Sequence, residues 1–198
     1  MKNNSSKSFL PYLVLIMGLI LVVIVFSISF VPSFFPNEHV GTIEDAKELS
    51  DQYITKYYSG LEISEIMEFT ENYYVITIET QTGTGAIELL IDRSSGRISP
   101  EPGPNMMWNT KYGRHGRFSD SSPDMSIDKE DAVMIAQDWL NMNTAGYRVV
   151  ETTRFYGYYT MDFGENEEII GMLSVNGESG EVWYHSWHGD FISMMEYD

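Results

Sequence analysis

AIELLIDRSSGRI, Ala86–Ile98, runs from an apolar strand through a polar turn into a second strand, and the chain carries this pattern twice. The other copy is IGMLSVNGESGEV, Ile170–Val182. Each turn closes on Ser-Gly, Ser95-Gly96 and Ser179-Gly180, and a β-branched residue, Ile98 or Val182, restarts the chain as a strand. Glycine supplies the positive φ that a tight turn between extended strands requires. The two glycines lie 84 positions apart, so a unit of roughly 60 residues is expected twice, with a linker between the copies.

Working outward, Thr42-Ile43-Glu44-Asp45 reads as a capped helix start. Ala46, Leu49, Tyr53, Ile54 and Tyr57 continue it as one apolar stripe ending at Gly60. Strands are expected at Leu61–Phe69, Tyr73–Thr80 and Ala86–Asp92. The pattern then returns. Ser126 caps a helix with the stripe Ala132, Ile135, Ala136, Trp139 and Leu140, and Gly146 ends it. Strands follow at Tyr147–Phe155, Tyr158–Phe163, Glu168–Val175 and Val182–Trp187. Asp45-Ala46 matches Asp131-Ala132, Tyr53-Ile54 matches Trp139-Leu140 and Gly60 matches Gly146, all 86 positions on. Asn72-Tyr73-Tyr74 is aligned with Gly157-Tyr158-Tyr159.

The N-terminal part is different in kind. Ser8 to Asn37 holds no charged residue, and Tyr12–Val31 is long enough, at about 1.5 Å per residue, to span a bilayer core of about 30 Å. Lys2 and Lys7 precede it, and no further base occurs until Lys47. The positive-inside rule therefore expects a cytoplasmic N-terminus, a single-pass anchor at residues 12–31 and an extracytoplasmic remainder. A cleaved leader ending near Ser27-Ile28-Ser29 is the alternative, but the apolar run exceeds the usual signal-peptide length. From residue 38 onward ten bases face 29 acids, a surface that repels phosphate backbones and disfavours nucleic-acid binding. With no cysteine, disulfides, thiolate nucleophiles and cysteine-ligated metals are excluded.

The expected fold is α+β: a transmembrane helix followed by two repeated units, each of one helix packed on a three-stranded antiparallel sheet. Residues 1–35 form the cytoplasmic stub and anchor, 42–99 the first unit, 100–125 a linker, and 126–198 the second unit with a C-terminal extension. Pro100, Pro102, Gly103 and Pro104 are expected to keep the start of the linker irregular. Trp108 is expected to pack between the units with Tyr112 beside it, leaving Arg114–Asp124 mobile.

The acidic first turn, the Tyr-Tyr strand and the D-x-x-[ST]-G-x-[IV] turn at Asp92–Ile98 resemble the PepSY domain. The resemblance covers about 42–99 and 126–187, and the second copy departs from it with Asn176 where the turn aspartate stands. It implies an envelope-anchored, non-catalytic interaction or regulatory module, with a peptidase as the kind of partner regulated. It transfers no catalytic residue.

No nucleophile motif, phosphate loop or H-E-x-x-H zinc motif occurs, so no enzyme activity is expected. His185-Ser186-Trp187-His188 is the one cluster with metal-ligand chemistry. His185 and His188 form the alternative reading, an extracytoplasmic copper or zinc site, provided that the strand breaks between them. On an unbroken strand two residues three apart face opposite ways. Met106, Met107, Trp108, Tyr112 and Trp187 are the expected interaction residues.

Overall fold

The computed structural model describes residues 39–114, 125–144, 146–166 and 168–197. The anchor expected at 12–31 and nearly all of the mobile tip expected at Arg114–Asp124 lie outside the described residues. Among the described residues no helix is long and apolar enough to cross a membrane.

The chain is α+β. Helix α1 (Ile43–Tyr57) precedes β1 (Leu61–Phe69), β2 (Asn72–Glu79), β3 (Gly85–Asp92) and β4 (Ile98–Pro100). A single helical turn, α2 (Pro104–Met107), lies in the connection. Helix α3 (Lys129–Asn143) then precedes β5 (Arg148–Arg154), β6 (Tyr158–Glu165), β7 (Glu168–Asn176), β8 (Val182–Tyr184) and β9 (Phe191–Glu196). Both sheets are antiparallel, with strand orders β4-β3-β2-β1-β9 and β5-β6-β7-β8. The three-stranded core expected in each unit is extended. Ile98 and Val182 restart the chain as the short edge strands β4 and β8, the latter ending at Tyr184 and not at Trp187, and the C-terminal β9 crosses back to pair with β1 of the first unit.

Side-chain alternation sorts each sheet into two faces. Ile63, Tyr73, Val75 and Ile91 pack under α1 with Ala46 and Ile54. Tyr159, Met161, Leu173 and Val175 pack under α3 with Ala132 and Leu140. The opposite faces meet: Met67, Phe69, Tyr74 and Ile76 of the first sheet close on Phe155, Tyr158, Ile169 and Met172 of the second. The result is helix, sheet, sheet, helix. Gly85 lies at a close inter-sheet approach, where a Cβ would meet the Phe155 ring at 2.7 Å and the Arg154 carbonyl oxygen at 2.8 Å.

Both repeated turns carry positive φ at their glycines, 64° at Gly96 and 71° at Gly180. Asp92 Oδ1 accepts from the Ser95 amide at 2.9 Å, and Asn176 Oδ1 accepts from the Ser179 amide at 2.9 Å. Asn176 thus keeps the acceptor that the turn needs.

Three local expectations are corrected. Thr42 and Asp45 form the capping box of α1, but Asp128, not Ser126, caps α3, while Ser126 bonds Glu178. Tyr73 corresponds to Tyr159, not Tyr158, because both lie under their unit's helix while Tyr74 and Tyr158 face between the sheets. A slip of one residue exchanges the two faces of a strand, and neighbouring tyrosines conceal it in the sequence. The connection is also more regular than its prolines suggest. Pro100 sits on an edge strand and Pro104 opens a helical turn, two places where a missing N–H costs nothing. Beyond β4, the amides of Asn105 and Asn109 continue the pairing of β3. They bond the Glu88 and Ala86 carbonyls at 3.0 and 2.7 Å.

Candidate functional site

The layer between two facing sheets is normally apolar. Here one end of it is polar. Glu88 on β3 is fully buried and accepts from Tyr74 and Thr160 at 2.5 Å each and from Tyr158 at 2.8 Å. Thr160 contacts Ser174 at 2.9 Å, Ser174 contacts His185 Nε2 at 2.9 Å, and His185 Nδ1 lies 2.6 Å from Glu101 Oε1. Glu101 Oε1 also receives the Trp187 indole N–H at 3.1 Å and faces His188 Nε2 at 3.3 Å. The residues come from both sheets, the connection and the segment after β8.

Proton positions follow from the partners. Thr160 gives its hydroxyl proton to Glu88, so it accepts from Ser174, which in turn accepts from His185 Nε2–H. This leaves the His185 Nδ1 lone pair aimed at Glu101. Asn72 donates its amide to the Trp187 carbonyl at 2.9 Å, so its oxygen accepts from His188 Nδ1–H at 3.0 Å. The His188 Nε2 lone pair therefore also faces Glu101 Oε1. A single carboxyl proton serves only one of these lone pairs. His188 Nε2 and Glu101 Oε2 are indeed buried without a hydrogen-bond partner.

Burial dominates the electrostatics, because it disfavours every charged form. It drives the His185 imidazole down to about 4 and lowers His188, and it raises Glu101. Glu88 is raised first by burial and then by the nearby Glu101. Burial thus disfavours charge on every member of the cluster, and two imidazole lone pairs and one carboxyl converge there. Ser174, His185 and Glu101 stand in the order of a hydrolytic triad. Ser174 is closed to solvent and its hydroxyl is committed to Thr160, so it acts as a link in a relay and not as an exposed nucleophile.

The strand break that chelation required is present. β8 ends at Tyr184, and the His185 and His188 rings stack at 5.8 Å between centroids. Glu101, His185 and His188 bring ligand atoms within 4.8 Å of one another. Glu101 was missed in the sequence because it sits between Pro100 and Pro102, in a connection expected to be irregular, and its partners lie more than 80 residues away. Trp187 joins this site through its indole. Met106 and Met107 are exposed, at 36% and 50%, and Met194 packs with the inter-sheet core, so none of them joins the histidines. Trp108 is half-buried against Tyr158 and Trp183 at the inter-sheet layer. Tyr112 is not beside it. Tyr112 packs with Tyr58 and Tyr156 and bonds Glu79, because the turn at Asn109 carries the chain away from Trp108.

A second acidic group lies in the same layer. Glu65, Glu151 and Asp162 place carboxylate oxygens within 4.8 Å of one another, with Glu65 and Asp162 buried and Glu151 exposed.

No protein-family profile matches the chain, and no curated protein does. Among solved structures it is similar to the Bacillus megaterium YpeB C-terminal domain. The identity is 12%, the coverage 76% of this chain and 70% of that one, and the TM-score 0.39. No residue role is carried over from that likeness.

Proposed function

We propose that the chain is a membrane-anchored, extracytoplasmic, non-catalytic module of PepSY type that regulates or presents an envelope partner, a peptidase foremost. One observation carries this reading: the chemistry-bearing side chains are shut between the sheets, whereas β5 offers an exposed edge. Among the described residues β5 pairs only with β6, and Arg148, Val150, Glu151 and Arg154 along it are exposed. An open edge of this kind accepts an added strand through main-chain hydrogen bonds, with alternate side chains supplying selectivity. The test is cross-linked capture of envelope proteins by the full anchored chain, compared with Thr152→Pro and Thr153→Pro. Alternate residues of a strand point their N–H groups to opposite sides, so one of these prolines removes an outward donor. Capture lost in that folded variant supports the reading; equal capture by both folded variants, or none by the wild type, counts against it.

A second reading is favoured at one place. Glu101, His185 and His188 present the two-imidazole, one-carboxylate set that suits zinc. On a tetrahedral zinc with bonds of about 2.0 Å, ligand atoms lie about 3.3 Å apart. The pair His188 Nε2–Glu101 Oε1 is already at that separation, and His185 has to open from 2.6 Å. Trp187 and Asn72, which bond Glu101 and His188, also line a surface groove with Asp92 and Arg97. Elemental analysis after dialysis against zinc or copper tests it: near one ion per chain, lost in His188→Ala, is expected. Retention of neither metal refutes it.

A further inference from the structure

We infer that Glu65, Glu151 and Asp162 form a binding site for a hard divalent cation of the calcium class, placed where the two sheets meet. The argument begins with two bulges. Ile63 pairs with Thr77 and Glu65 with Ile76, so Ser64 is an extra residue in β1. Val149 pairs with Phe163 and Glu151 with Asp162, so Val150 is an extra residue in β5. Without its bulge, each glutamate would share the helix-facing side of Ile63 or Val149. The extra residue turns Glu65 and Glu151 into the inter-sheet layer, which is the way bulges re-aim side chains near sites.

Glu65 and Glu151 therefore hold the same position in their strands, 86 residues apart, and they meet each other. Their strand partners differ. The partner of Glu65 is Ile76, a buried member of the inter-sheet core, and the partner of Glu151 is Asp162. Where one half of the molecule places an isoleucine, the other places a third acid. Asp162 is 4% exposed and Glu65 is 6% exposed. Glu65 Oε1 is buried with no hydrogen-bond partner. Among the described residues no Lys or Arg pairs with any of the three, and Glu196, opposite Glu65 on β9, adds a further negative group.

Three clustered carboxylates without a cation are costly to bury. Burial and mutual repulsion raise both Glu65 and Asp162 above the ordinary carboxylate range. The donor set is oxygen only, which favours calcium, magnesium or manganese over the softer metals suited to His185 and His188. Calcium fits best. It takes about 6–8 oxygens in flexible geometry, of which three bidentate carboxylates supply up to about six. The exposed Glu151 leaves a side open to water and to ion entry. Since β1 supplies one ligand and β5 and β6 supply two, the ion would clamp one sheet to the other.

The test is thermal melting and calorimetry of the full chain after chelator treatment, with calcium chloride as the probe at neutral pH. A Tm increase of about 3 °C or more at millimolar calcium, with one ion bound per chain, is expected. Asp162→Asn and Glu65→Gln should melt no lower than the wild type without calcium and lose the response. His188→Ala should keep it. An absent calcium response in the wild type overturns the site, as does an equal response in Asp162→Asn. So does loss of the response in His188→Ala, which would move the ion to the other cluster.

Discussion

His188 and Asn72, 116 residues apart, are joined by a hydrogen bond of 3.0 Å that decides which nitrogen of the imidazole is free. Asn72 opens β2 of the first unit, and His188 follows β8 of the second, so the contact spans the molecule. If zinc binds at His188, Asn72 is the group that orients its ligand. Asn72→Leu removes the acceptor for Nδ1–H, and losing a bond that orients a metal ligand costs about 10–100-fold in metal affinity. Asn72→Asp keeps the acceptor and should keep most of the affinity. A zinc competition assay that finds Asn72→Leu unchanged would contradict this geometry.

Trp108 fills the rim of the inter-sheet layer beside Tyr158 and Trp183. It is half-buried, so Trp108→Ala is expected to cost about 2–3 kcal/mol, below the range for a fully enclosed tryptophan. The loss should appear as a lower Tm with binding of any partner retained. An unchanged Tm would make Trp108 a docking residue instead.

Glu79 ties three parts of the chain together. It accepts from Tyr112, from Tyr156 at 2.6 Å and from Lys111 at 2.5 Å. Burial pushes its carboxyl up, but the bonds from Lys111, Tyr112 and Tyr156 outweigh burial and bring it down to about 2. A folded-state pKa below the unfolded value means that the unfolded chain binds the proton first as pH falls. The stabilisation is complete above about pH 4.5 and drains away as pH falls towards 2. Glu79→Gln should flatten the denaturant-midpoint profile in that window and leave its slope above pH 5 unaltered. A variant as acid-sensitive as the wild type would refute the assignment.

Gly85 lets β3 approach the end of β5, where it makes a parallel bridge to Phe155. A methyl group there meets both a ring and a backbone carbonyl, and only the ring can move. Gly85→Ala is expected to cost about 1–3 kcal/mol, the usual penalty for overpacking. Gly83 lies two residues away, with nothing within 4 Å of where a Cβ would stand but with φ +67°. Its replacement by Asn, which tolerates that φ, is the control that should melt close to the wild type.

Much of this architecture was written in local patterns. The turn glycines Gly96 and Gly180, the Thr42–Asp45 cap and the helical stripes each depend on residues within a few positions of one another. Spacing alone therefore implied both helices and the core strands of both sheets. Face and partnership are different matters. The sequence could not say which tyrosine of Tyr73-Tyr74 matches Tyr159, because a pleat has period two and adjacent like residues hide its phase. Nor could it show that β9 pairs with β1, or that Glu101 lies against His185, 84 residues away. The bulges at Ser64 and Val150 left no signature either, yet they turn Glu65 and Glu151 inward. Local chemistry determined the elements, but only the closing of one sheet on the other determined which buried groups meet. That closure depends on contacts between distant residues, whose energies no short stretch of sequence contains.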